Sequence, residues 1–188
     1  MLSPVVLKSF GKSRHSEVRA HGYACDNGAY AYWRREVPFD SDAFMRMLSI
    51  WGEGADWIVI PDVVGNWVST IALAYEWYPK LCGLNHLLIV AQDGCDIVSL
   101  RQFLQAHPAG IFIGGSTEFK LQNLHILSSL AQEFNVVCHV GRVNAVGRMM
   151  KCITAQATSF DGSGPSLYSH VAVRMSRRLS HLEHQLSL

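Results

Sequence analysis

The sequence predicts an α/β protein, a trimmed TIM-type (β/α) barrel of seven to eight mostly parallel strands that forms one domain over residues 1–188. Short apolar runs, each followed by a cluster of glycine and polar residues, recur along the chain, as buried parallel strands do. Segments with helical periodicity lie between them, which indicates repeated β-α units. Polar groups follow nearly every run, and this favours a barrel because an open sheet concentrates its site at one switch point.

The strand-like runs are each ended by polar residues or glycine, in clusters that begin at Asp26, Pro61, Gln92, Gly114, His139 and Asp161. A further strand is expected at 5–8, and an eighth strand near 170–175 is either short or missing. Carboxyl ends of parallel strands carry the chemistry of α/β barrels, so the six clusters form a candidate active-site rim.

Apolar residues at helical spacing predict helices over 40–48, 67–77, 98–105, 120–134, 145–155 and from 168 onward. The first has an acidic start at Asp40 and Asp42. The second is expected to stop before Pro79, because proline lacks the N–H that a helix interior uses.

The composition indicates a globular domain, with 49% hydrophobic and 16% charged residues in 188. The net charge of +1 exerts no global attraction for nucleic acid, yet basic residues cluster near both ends of the sequence, where they either track a phosphate backbone or form solvated segments. Five cysteines without a C-x-x-C pair predict neither disulfides nor a zinc knuckle. With no apolar leader and no long apolar run, we expect a cytoplasmic protein without a membrane partner.

Asp161 and Asp26 are the candidate catalytic residues. An aspartate after an apolar strand can act as a nucleophile at a sugar carbon, and a second carboxylate in a different environment can carry the proton. The alternative for Asp161 is capping of the next turn, and Asp26-Asn27-Gly28 is also a common turn sequence.

Asp62 and Gln92 are suited to read a purine-like edge, since glutamine offers a donor and an acceptor and a carboxylate accepts from ring N–H and amino groups. Gly114, Gly115 and Ser116 would expose backbone N–H groups to a ligand. Structural capping is the alternative for the first two residues, and a tight strand-to-helix turn for the glycines.

His139, Arg142 and Asn144 follow one strand and suit a phosphate or another anion, because arginine presents a fixed fork of donors. A histidine whose ring is satisfied inside the core is the alternative for His139.

Taken in order, these motifs resemble the tRNA-guanine transglycosylase superfamily, and within it the DpdA-type enzymes of phages and bacteria that insert 7-deazaguanine bases into DNA. The resemblance covers residues from about 22 to 165 and rests on DNGAY at 26–30, PDVVG at 61–65, VAQDG at 90–94, FIGGSTEFK at 112–120, HVGRVN at 139–144 and SFDG at 159–162.

The resemblance implies a pentosyltransferase that exchanges guanine in a polynucleotide for a base such as 7-cyano-7-deazaguanine. Asp161 matches the nucleophile that forms a covalent glycosyl-enzyme, and Asp26 matches the carboxylate that manages the proton. Asp62, Gln92 and the Gly114–Gly115 backbone match the base pocket. No cofactor or metal is expected, and the compartment would be the host cytoplasm if a phage encodes the chain.

The cysteine spacing departs from the tRNA enzymes, whose inserted subdomain binds zinc, so DNA is favoured over RNA as the substrate. A homo-oligomer or an accessory protein is expected to help hold the polynucleotide. Two other functions stay open: a phosphate-binding barrel enzyme that acts on a small sugar phosphate, and a non-catalytic nucleic-acid-binding subunit.

Overall fold

A single parallel sheet organises the chain. The computed structural model describes residues 23–84, 86–163, 170 and 173–178. Its six strands follow chain order across the sheet, and each pairs in parallel with the next. They are β1 (Ala24–Cys25), β2 (Trp57–Val59), β3 (Leu87–Ala91), β4 (Ala109–Ile113), β5 (Cys138–Val140) and β6 (Ser159–Phe160).

The expectation of seven to eight strands is wrong, because the sheet has six strands within the described residues. Residues 170 and 173–178 are helical, in agreement with the helix predicted from 168 onward, and no short eighth strand forms near 170–175 in the described residues. The run at 5–8 lies outside the described residues. The six remaining runs all form strands. Each ends beside or within its polar cluster, except that Ile60 separates the end of β2 from Pro61.

Helices connect consecutive strands. Within the described residues they are α1 (Ala29–Arg34), α2 (Ser41–Trp51), α3 (Trp67–Leu81), α4 (Ile97–Ala106), α5 (Thr117–Glu133) and α6 (Val146–Thr154). Four of them begin at a side chain that accepts from a backbone N–H of the first turn, namely Asp40, Asn66, Asp96 and Ser116. Such caps satisfy donors that have no partner inside the helix, which explains where these helices start.

Two helices differ from expectation. Helix α3 continues through Pro79 to Leu81 instead of stopping before it. Pro79 lies in the last turn, where its missing N–H removes one hydrogen bond, and the next turn is closed by the Cys82 N–H, which donates to the Tyr78 carbonyl at 2.8 Å. Helix α1 starts directly after Gly28, whose φ of 76° turns the chain from β1 into a helix that the turn-like sequence did not predict.

The sheet is curled. Trp57 on β2 and His139 on β5 have ring centroids 4.7 Å apart. In a flat sheet three strand spacings would separate these strands by about 14 Å. The side chains of one face therefore converge, and the sheet forms a half-barrel.

Two apolar clusters cover the two faces. The larger lies between the sheet and the helices and includes Ile58, Ile89, Ile111 and Met149. The smaller fills the concave face with Ala24, Trp57, Val59, Leu88 and Val90, against which Phe112 packs. Alternate residues of each strand thus face opposite clusters, and both faces are apolar, as expected for a parallel sheet. Among the described residues no helix is both long and apolar enough to cross a membrane.

Candidate active site

The two predicted catalytic carboxylates lie at the same rim although they follow the two outermost strands. In a flat six-stranded sheet Asp26 and Asp161 would be about 24 Å apart, which is five strand spacings. In this sheet the negative charge of Asp161 contributes to a raised pKa of Asp26. The curl of the sheet therefore brings the ends of β1 and β6 within electrostatic reach of each other.

Asp161 is held by one of its two oxygens. Its Oδ1 lies 3.0 Å from the backbone N–H of Arg142, which donates to it, and 3.2 Å from Nε2 of His139. The side chain is 23% exposed. No described residue forms a hydrogen bond with Oδ2, so this second oxygen is the one available to a ligand.

His139 lies beneath Asp161. Its side chain has no exposed surface, its Nδ1 is 2.8 Å from the Ser159 hydroxyl, and its ring lies between the rings of Trp57 and Phe112, at 4.7 and 5.0 Å. A phosphate could reach the ring only if Asp161 moved. Phosphate binding by His139 stays a prediction, and the contacts in this structure are those of a buried partner of the carboxylate.

Asp26 has a different environment from Asp161. Burial is the main cause that raises its pKa, and the charge of Asp161 adds to it, while the Gly28 N–H, 3.3 Å from Oδ1, acts in the opposite direction. A carboxyl with a raised pKa keeps its proton at a higher pH than an ordinary aspartate, which suits the role of the acid.

Asp62 and Gln92 meet as the sequence predicts, and a third side chain joins them. Asn27 Nδ2 donates to Asp62 Oδ1 at 2.7 Å and to the Ile60 carbonyl at 2.8 Å. Gln92 Nε2 donates to Asp62 Oδ2 at 2.6 Å, and its Oε1 accepts from the Gly65 N–H at 3.0 Å. Burial raises the pKa of Asp62 to about 6 against the lowering effect of these two donors.

This amide–carboxylate network fixes the orientation of the pocket wall. Each oxygen of Asp62 accepts one hydrogen bond and keeps a lone pair for another donor. Asp62 is therefore placed to accept from the N–H groups of a ligand while both amides stay fixed.

Gly114 and Gly115 are placed against the next strand end. A Cβ on Gly114 would lie 2.7 Å from Val90 Cγ1 and 3.1 Å from Gln92 Nε2. Gly115 has a φ of 71°, and a Cβ there would lie 2.6 Å from Asp93 Oδ2. Packing alone therefore requires both glycines, and ligand contact by their backbone stays a prediction.

Ser116 connects this turn to α5. Its hydroxyl caps the helix through the Phe119 N–H at 3.1 Å and lies 2.5 Å from Asp93 Oδ1, and its own N–H donates to Asp93 Oδ2 at 2.7 Å. The base contact predicted for Ser116 would have to compete with these bonds.

Arg142 spans the mouth of the half-barrel. Its backbone is left-handed, with a φ of 59°, and its guanidinium donates to the Gly115 carbonyl and lies 4.5 Å from the ring centre of Tyr30. Asn144 is half-buried on the same loop, where its Oδ1 would be 2.7 Å from a Cβ on Gly162. Phosphate binding by these two residues stays a prediction.

A buried cation supports the Arg142 loop from below. Lys120, on α5, donates from Nζ to the Gly141 carbonyl at 2.7 Å. Burial, and to a smaller extent the positive charge of Arg142, lowers the pKa of Lys120 to about 8.

Sequence reasoning missed the roles of Asn27, Asp93, Lys120 and Ser159. Asn27 and Asp93 each adjoin a predicted site residue, so their position was a usable signal. Lys120 and Ser159 gave no such signal, since a lysine in a helix and a serine in a strand are usually exposed.

Comparison with protein-family models and with curated proteins finds no match for this chain. Within the described residues no group of three or more histidine, cysteine, aspartate and glutamate side chains could hold a metal ion. What the rim can do chemically therefore follows from its geometry.

Proposed function

We propose that the chain is a transglycosylase that exchanges guanine in a polynucleotide, DNA in preference to RNA, for a 7-deazaguanine base. One observation carries the proposal: two carboxylates from opposite edges of the sheet, Asp26 and Asp161, lie within electrostatic reach of each other at one rim and have different hydrogen-bond partners. A set of polar groups, Asp62 with its two amide donors Asn27 and Gln92, follows β1, β2 and β3 on the same rim.

In the proposed first step Oδ2 of Asp161 attacks the anomeric carbon. The bond from that carbon to the guanine ring nitrogen breaks, its electron pair leaves with guanine, and Asp26 donates the proton that neutralises the departing base. The raised pKa of Asp26 supports its role as the acid.

In the second step Asp26, now a carboxylate, takes the ring N–H proton of the incoming 7-deazaguanine. The ring nitrogen attacks the anomeric carbon and displaces Asp161, which regains its charge. Two displacements at one carbon retain its configuration. The target nucleotide must leave its stack to reach the rim, so an extruded or single-stranded substrate is favoured.

Exchange of radiolabelled guanine tests the proposal. Purified protein is incubated with guanosine-containing oligonucleotides, single-stranded DNA, duplex DNA and RNA in parallel, and retained label is counted. We expect label in DNA, most in single strands. We also expect a protein–oligonucleotide adduct that survives denaturation, because the intermediate is covalent.

Asp161→Asn should abolish both exchange and adduct while the melting temperature stays near that of the wild type. Asp96→Asn is the matched control, since Asp96 is an exposed cap on α4 and asparagine caps a helix equally well. Full exchange by the Asp161 variant would refute the nucleophile. Label in RNA alone would redirect the substrate, and no label in any polynucleotide would leave the sugar-phosphate and non-catalytic alternatives.

A further inference from the structure

We propose that His139 and Ser159 are positioning residues that lock Oδ1 of Asp161 and so determine that Oδ2 is the attacking atom. The inference rests on the proposed function, because it assigns a reacting oxygen to the same carboxylate. It adds two residues that do not touch the substrate and act through Asp161.

The register of two strands places the three side chains together. Residue 139 on β5 pairs with residue 159 on β6. Side chains two residues apart on a strand point to the same face, so Asp161 follows Ser159 on the side where the ring of His139 lies. The ring nitrogens accordingly contact both, Nδ1 at 2.8 Å from Ser159 Oγ and Nε2 at 3.2 Å from Asp161 Oδ1.

The ring cannot easily turn away from this arrangement. His139 is fully buried, and the rings of Trp57 and Phe112 pack against it at centroid distances of 4.7 and 5.0 Å. Water cannot replace the contact to Ser159 without opening the concave face. The imidazole is therefore fixed in its plane by aromatic packing and at its far nitrogen by a hydroxyl.

The carboxylate of Asp161 decides which nitrogen carries the proton of a neutral ring. A carboxylate oxygen only accepts, so the nitrogen beside Asp161 must be the donor, and Nδ1 is then the acceptor of the Ser159 O–H. Oδ1 of Asp161 thus accepts from two donors, the His139 Nε2–H and the Arg142 N–H at 3.0 Å. Oδ2 accepts from none of the described residues. Two donors on one oxygen hold the carboxylate plane, so that Oδ2 is presented at the rim.

The arrangement predicts an effect on the chemical step. A misplacement of about 1 Å in a reacting group can cost about 100-fold in rate. His139→Asn removes the donor at the Nε2 position, and it should lower kcat about 100-fold with KM within about threefold of the wild type. His139→Gln, whose amide nitrogen reaches the Nε2 position, should recover at least tenfold of that loss.

The tautomer of His139 provides a measurement that needs no substrate. Nitrogen-15 NMR of histidine-labelled protein, with the His139 signals assigned by their absence in His139→Gln, distinguishes the two protonated nitrogens. We expect the proton on Nε2 in the wild type, and a mixture of tautomers in Asp161→Ala, where only the Ser159 hydroxyl, which can donate or accept, faces the ring. Ser159→Ala should keep the proton on Nε2 but lower kcat, because the ring loses its second hydrogen-bond partner. Ser128→Ala is the matched control for Ser159→Ala. It removes a buried hydroxyl of α5 that lies 3.6 Å from Sγ of Cys138, the neighbour of His139 on β5, without touching the His139 ring.

Each outcome decides the inference. A proton on Nδ1 in the wild type, or a single unchanged tautomer in Asp161→Ala, would overturn it, as would wild-type kcat in a folded His139→Asn or Ser159→Ala. If the wild type exchanges no base at all, the proposed function fails, and the tautomer experiment still decides whether this pair orients Asp161. Melting temperatures of all variants separate a loss of orientation from a loss of fold.

Discussion

A single isosteric substitution, Gln92→Glu, tests the pocket wall. The change replaces the Nε2 donor with an oxygen that would face Asp62 Oδ2 across 2.6 Å. Gln92 is 4% exposed, so water cannot separate the two carboxylates. The substitution removes a hydrogen bond to a charged group, which contributes about 1.5–3 kcal/mol, and it adds a buried acid.

The pH dependence follows from the direction of the pKa shift. In the wild type the pKa of Asp62 is raised to about 6 from 3.8, so the unfolded chain loses this proton first and stability falls as the pH rises through that interval. Between pH 5 and pH 8 the wild type should lose about 1.4 kcal/mol from this group, since one pH unit corresponds to about 1.4 kcal/mol. In the Gln92→Glu variant, if the new carboxyl and Asp62 still share one proton at pH 8, the loss over the same three units should be about 4 kcal/mol.

Urea denaturation at pH 5 and pH 8 measures both effects. The control is Gln122→Glu, because Gln122 donates to Glu118 at 3.1 Å in the same kind of contact but on the exposed surface of α5. The control should cost roughly 0.5 kcal/mol at either pH, as like charges do at that helical spacing. If Gln92→Glu costs no more than the control, or costs the same at both pH values, then the Asp62–Gln92 contact is not the buried pair that this reasoning requires.

Three further changes test other parts of the rim. Gly115→Ala should lower the free energy of unfolding by more than about 2 kcal/mol, because its Cβ would lie 2.6 Å from a carboxylate oxygen of Asp93. The control Gly65→Ala, at a φ of 73° with open space around it, should cost only about 1 kcal/mol. Equal losses in chemical denaturation would contradict the packing account. Trp33→Ala should weaken binding of single-stranded DNA by about tenfold or more in a fluorescence titration, since the Trp33 ring is 57% exposed and stacks on Tyr30 beside the rim. If the effect is no larger than that of Val68→Ala, another exposed residue, then Trp33 does not stack on the DNA. The pKa of Lys120 is lowered to about 8 in the folded chain from 10.5, so the wild type should gain about 3 kcal/mol of stability between pH 8 and 10.5. Lys120→Met should abolish this gain, and parallel pH profiles of stability for the two proteins would refute the prediction.

The strands and their polar ends were predictable because they depend on local pattern. Buried parallel strands are nearly continuous apolar runs, and β3 and β4, which are buried along almost their whole length, stand out for that reason. Helix starts followed from caps such as Asp40, whose side chain accepts from the Ala43 N–H at 2.8 Å. The end of α3 was mispredicted because a proline in a last turn costs far less than one in a helix interior.

The number of strands and the neighbours of each site residue depend on contacts between distant parts of the chain. The segment at 170–175 is compatible in sequence with a helix from 168 onward and with a short strand, and its described residues are helical. The sequence predicts that His139 and Arg142 bind an anion together. In the structure the register of β5 and β6 brings the His139 ring into contact with Ser159 and Asp161. No local signal reveals such a pairing, because strand register and curl are set by the packing of the whole sheet.

The sequence alone determined that Asp26, Asp62, Gln92 and Asp161 follow apolar strands, because hydrophobic periodicity and chain-breaking residues are local properties. Tertiary structure decided which of these groups meet. The curl of the sheet brings the ends of β1 and β6 together, and burial, with the nearby charge of Asp161, then raises the pKa of Asp26. Both effects arise from long-range packing and desolvation, which no stretch of sequence contains by itself.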